Sequence, residues 1–216
     1  MYLFVGDTLL AGIDKLDRAA RLLAKQMGVS RSSDIWGEIA SGNWCLVRKS
    51  GAMFPVWQSV QVGEYQTEDS YLNEVRRLQK NGSPVEVGRY ARALFPKVTF
   101  STIVHTCDVV LISPEKIGIN DRIDYSQFVE KVLSFGGYSL CSAEVALMLR
   151  LQFLNQTRLS SDCVVVAMNP LSEVIADGTR ESVFVLEHNG DSLMLDTVEL
   201  GSFELHPEYQ VAFARK

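Results

Sequence analysis

The sequence has little of the chemistry that usually announces a function. Three histidines and four cysteines are spread over 216 residues, and no two cysteines stand in a Cys-x-x-Cys pair. A zinc site draws three or four ligands from two short motifs. Only His105-Thr106-Cys107-Asp108 comes near such a pattern, and His188 and His206 are the other imidazoles, so no metal is expected. Cys45, Cys107, Cys141 and Cys163 are too scattered for the dense disulfide framework of a small secreted domain, which fits reduced thiols in the cytosol. No segment offers ~18 apolar residues free of charge, so none is expected to span a bilayer. The start, Met1–Asp7, has no basic leader, and Asp7 and Asp14 interrupt its apolar stretch; it reads as a mature cytoplasmic start and not as a signal peptide. Basic runs are missing too: none exceeds a pair such as Arg76-Arg77, and 21 Lys+Arg face 26 Asp+Glu for a net charge of −5. Binding to nucleic acid or to an anionic membrane through a broad cationic footprint is therefore disfavoured. Gly136-Gly137 precedes a helical pattern but lacks the Gly-x-x-x-x-Gly-Lys signature of a phosphate loop.

What is present describes an ordinary globular core. Hydrophobic residues make up 47% and charged residues 22% of the chain, far from the composition of disordered segments. Between Thr8 and Met27, the residues Leu9, Ile13, Leu16, Ala20, Leu23 and Met27 recur at three- and four-residue steps, with Asp14/Arg18 and Asp17/Arg21 on the other side. That pattern predicts an amphipathic helix stopped by Gly28. Asn43–Val47 and Phe54–Val62, rich in Trp, Val and Phe, flank Ser50-Gly51 and predict a β-hairpin. Tyr71, Leu72, Val75 and Leu78 predict a short helix ending at Asn81-Gly82 before Pro84. The chain is divided there, into an N-terminal helix-plus-hairpin region, 1–82, and a C-terminal α+β domain, 83–216. In the second part Val87–Leu94 reads as a helix and Asp108–Ile112 as a strand buried on both faces. Asp124 precedes Gln127 at a capping-box spacing and opens a helix closed by Gly136-Gly137. From about Ser142 to Asn155 almost no polar side remains, which predicts a helix packed around most of its circumference. Strands follow at Val164–Met168, at Val183–His188 joined through Asn189-Gly190 to Asp191–Leu195, and at Gln210–Arg215. Asn-Gly supplies the positive φ angles a two-residue hairpin turn requires.

The segments Val85–Leu94, Asp108–Ser113, Leu140–Val145 with Leu149–Phe153, Val166–Pro170 and Val211–Lys216 resemble, in order and spacing, a widespread family of short bacterial proteins of no assigned activity. The resemblance covers roughly residues 84–216 and is most specific around Leu140–Phe153. The family usually has Pro where this chain has Ser142, which implies Cys141 as the helix N-cap and Glu144 as its N3 residue. At the level of fold, Gly137-Tyr138-Ser139-Leu140 is similar to the helix opening of C-type-lectin-like domains, including those of formylglycine-generating enzymes. Cys141 replaces their Pro, and the Glu-Pro-Asn and Trp-Asn-Asp calcium-sugar motifs are absent. The likeness implies C-type-lectin-like α+β architecture without calcium-dependent sugar binding, and no function follows from fold alone.

Two chemistries compete for the residues of the central helix. Glu144, Gln152 and Asn155 fall at i, i+8 and i+11, on one stripe with Met148. Together with Arg150 they form a candidate binding cleft, unless they only hydrogen-bond loops packed across the helix. Arg150, between Leu149 and Leu151, needs a carboxylate partner or an edge, and Glu144 is a candidate. The catalytic alternative is a transglutaminase-like cysteine hydrolase, with Cys141 as a low-pKa nucleophile at a helix N-terminus and His188 and Asp196 following in order. A turn at Asn189-Gly190 sets His188 opposite Asp191 and Asp196 opposite Val183. At ~3.3 Å per residue this places His188 ~17 Å from Asp196 and leaves Asp191 as the acid beside the imidazole. His188 and Asp191 read either as a base oriented by a carboxylate or, in preference, as an ordinary cross-strand pair beside a turn. Trp36, Trp44, Phe54 and Trp57 either form a recognition face or cover the first helix. The expectation is a cytoplasmic, non-catalytic binding or interaction module for a protein or small-molecule partner, without a cofactor. The hydrolase built on Cys141, His188 and Asp191 is the alternative.

Overall fold

A computed structural model of the chain describes residues 2–5, 45–48, 54–154, 163–175, 178–189 and 192–216. They belong to two compact units, Met1–Met53 and Phe54–Lys216. In the first, β1 (Tyr2–Val5) and β2 (Cys45–Arg48) pair in parallel, Tyr2 against Cys45 and Val5 against Arg48. The helix expected over Thr8–Met27, Trp36 and Trp44 lie outside the described residues.

The second unit is α+β. It begins with β3 (Val56–Val62), which runs antiparallel to β5 (His105–Ile112) with Val62 opposite His105 and Ser59 opposite Asp108. The two strands expected as an N-terminal hairpin fall in different units, where β2 pairs with β1 and β3 with β5. Alternating apolar residues specify a strand but not its partner. Between them, α1 (Glu68–Lys80) starts at Thr67, whose hydroxyl accepts the Ser70 N–H while the Ser70 hydroxyl reaches back to the Thr67 N–H. It buries Tyr71, Leu72 and Val75. The strand β4 (Val85–Val87) and the short α2 (Arg89–Leu94) follow, so the helix expected over Val87–Leu94 is present from Arg89, with Val87 ending the strand before it.

After β5 come β6 (Ile123–Asp124), α3 (Tyr125–Ser134), β7 (Tyr138–Ser139) and α4 (Ala143–Gln152). Asp124 caps α3, its carboxylate accepting the N–H groups of Ser126 at 2.8 Å and Gln127 at 3.2 Å. The chain then adds β8 (Cys163–Val166), β9 (Leu171–Ile175), β10 (Gly178–Asn189), β11 (Ser192–Glu199), β12 (Glu204–Leu205) and β13 (Gln210–Arg215). One mixed sheet runs β3-β5-β13-β8-β10-β11-β4, with β7 beside β13 and β9 beside β10; β12 and β6 form a separate ladder.

Pairing places Val164 beside Leu186 and Val165 beside Val185, so these neighbours alternate between faces, and all four are buried. Two covered faces explain the near-continuous apolar runs in the sequence. On one face Tyr71 of α1 meets Phe95, which meets Phe184 of β10. On the other, Phe128 of α3 packs against Phe213 of β13. The helix α4 lies against β3, β10 and β11 and buries Val145, Ala146, Leu147, Met148, Leu149 and Leu151. The circumferentially packed helix expected from its sequence is thus observed.

Candidate functional site

The N-cap of α4 is Ser142, one residue later than the resemblance implied, and its side chain makes no capping bond. Cys141 stands just outside the helix and forms an isolated bridge with Met168. Its N–H donates to the Ala167 carbonyl at 2.7 Å and its thiol to the Ala212 carbonyl at 3.6 Å. The residue is buried, and burial, reinforced by Cys107, pushes the thiol far above its ordinary value. A nucleophilic thiolate requires the opposite shift.

The polar stripe of α4 is engaged by backbone. Glu144 is 1% exposed, and its two carboxylate oxygens accept the Gly63 N–H at 2.7 Å and the Ser101 N–H at 2.8 Å. It pins the end of β3 to the loop before β5. Gly63 itself has φ +87°, and a Cβ there would stand 2.4 Å from the Ile103 carbonyl oxygen, so only glycine fits. Two turns further on, Gln152 accepts the Gln61 N–H at 2.9 Å and donates to the Gln61 carbonyl at 2.8 Å. Asn155 lies outside the described residues. Arg150 is wholly buried and donates to the Phe153 carbonyl at 2.7 Å; burial lowers its pKa to about 10, with Tyr71 acting in the opposite direction. It remains a cation at neutral pH. Its expected partner Glu144 is occupied elsewhere, because six residues turn a side chain roughly 240° round a helix of ~100° per residue.

The β10–β11 hairpin closes on Asn189 paired with Ser192, so His188 faces Leu193 and Val185 faces Asp196. This shifts the expected register, in which His188 faced Asp191 and Val183 faced Asp196. Leu193 and Asp196 are three residues apart, so His188 and Asp196 point to opposite faces of the sheet. Asp191 lies outside the described residues. The Asp196 carboxylate lies over Gly88, where a Cβ would approach it to 2.5 Å, and accepts the Thr197 N–H at 2.9 Å. Glu187, opposite Met194 and so on the face of Asp196, has its pKa raised by burial first and by the Asp196 charge second.

Sequence reasoning missed a polar cleft of about 350 Å³ lined by Ser126, Thr179, Glu181, Glu199 and Gly201, among others. Glu199 on its wall pairs with Arg180 at 3.0 Å. These residues come from separate segments that only the folded sheet assembles, so no local motif marks them. Among the described residues, no three His, Cys, Asp or Glu side chains converge to hold a metal, and no helix is long and apolar enough to cross a membrane. No family model, curated protein or solved structure matches the chain.

Proposed function

We propose that this chain is a cytoplasmic, non-catalytic binding module, with C-type-lectin-like character in its larger unit and kinship to the family of short bacterial proteins that it resembles. One observation carries the reading: the strongest nucleophile candidate, Cys141, is buried, bonded to the Ala212 carbonyl and held as a thiol. The polar groups beside it on α4 serve backbone, with Glu144 on Gly63 and Ser101 and Gln152 on Gln61. Among the described residues, a concave polar surface lies beside the start of α3, in the cleft lined by Ser126 and Thr179. Its volume lies in the range of small-molecule sites.

The test is thiol reactivity in a variant carrying Cys45→Ser, Cys107→Ser and Cys163→Ser. In the folded protein Cys141 should react with a disulfide reagent more than ~100-fold slower than a free thiol and gain speed on denaturation, because access requires opening of the core. Rapid labelling with a midpoint below the ordinary thiol value of about 8.5 would restore the hydrolase.

A further inference from the structure

Bare strand edges invite a further strand, since their N–H and C=O groups lack partners. Among the described strands of the large sheet, such edges include the outer sides of β3 and β4 at its two ends and of β9, which pairs only with β10. Each is met by a side chain. On β3, Gln152 engages both the N–H and the C=O of Gln61, as a neighbouring peptide would. On β4, the Pro84 carbonyl faces β11, accepting the Leu193 N–H, so the next carbonyl, that of Val85, faces outward, and Gln79 donates to it at 2.8 Å. On β9, the Lys97 ammonium donates to the Ser172 carbonyl.

These three plugs differ in how firmly they are held. Gln79 and Gln152 sit on α1 and α4, helices anchored by their buried residues. Lys97 ends a single 3-10 turn, Phe95–Lys97, and its side chain reaches across from an exposed position. The strand it guards is also the least protected, with Val174 86% exposed two residues from Ser172. A charged lysine at a strand edge suits this role because a strand that displaced it would leave the ammonium desolvated beside an apolar neighbour.

We infer that Lys97 is a guard that keeps β9 from adding another strand. In a pure solution the strand available is β9 of a second copy, which can dock antiparallel about a two-fold axis with Leu171 opposite Ile175. Lys97→Met removes the donor and keeps the stem, whereas Lys97→Arg keeps a donor. Molar mass by light scattering is measured across a concentration series, with circular dichroism confirming the fold. The wild type and Lys97→Arg should hold one concentration-independent mass. Lys97→Met should climb toward twice that mass, and adding Val174→Lys should reverse the climb. Lys97→Met that behaves as wild type, or association that survives Val174→Lys, overturns the inference. So does a wild-type dimer that Val174→Lys dissolves, because the edge would then be open with Lys97 in place.

Discussion

A carboxylate with almost no solvent contact is stable in a core only if its oxygens are met by donors, and Glu144 meets two backbone N–H groups that no strand or helix satisfies. It is therefore a fastener between the end of β3 and the loop before β5. Two glycines, Gly63 beside this fastener and Gly88 under Asp196, separate two kinds of constraint. At Gly63 the positive φ and the fixed Ile103 carbonyl both oppose a side chain. At Gly88, where φ is ordinary, only the Asp196 side chain stands in the way. Gly63→Ala should cost about 3 kcal/mol or more, and Gly88→Ala about 1 kcal/mol. Urea denaturation of both variants checks this, and the Gly88→Ala cost should largely vanish in an Asp196→Ala background.

Elements explain what the sequence could and could not show. The amide of Gln152 replaces the missing neighbour of β3 at an exposed site where water can substitute. Gln152→Leu should therefore cost only about 1 kcal/mol, yet speed hydrogen exchange at the Gln61 amide, which residue-resolved exchange by NMR would detect. The helical spacing placed Glu144, Gln152 and Asn155 on one stripe; Glu144 and Gln152 bond the backbone of Gly63 and Gln61, and Asn155 lies outside the described residues. What the stripe faces depends on β3 reaching across from a distant part of the chain, which no local periodicity encodes. The capping residue Asp124, the all-apolar α4 and the strands at Cys163–Val166 and Gln210–Arg215 were legible because their signals are local. The β10–β11 register was not, because a shift of the closing pair moves every cross-strand partner with it.

At the scale of the whole molecule, packing both faces of the sheet leaves Glu187 half-buried near Asp196, with its carboxyl pKa raised from its ordinary 4.5. The folded state then holds this proton more tightly than the unfolded chain. Stability should fall as pH rises from about 4.5 through the raised value and level off above it. Glu187→Gln should remove that part of the slope, so the difference in melting temperature between variant and wild type should grow from about pH 4 to pH 7. The order of the sheet carries a different consequence. Residues 210–215 lie between β5 and β8, joining one half of the sheet to the other. A ribosome making this chain must release Arg215 from its exit tunnel before the halves can zip together. Until then β5 and β8 each wait with an open side, and the nascent protein depends on chaperones or on speed to stay out of aggregates.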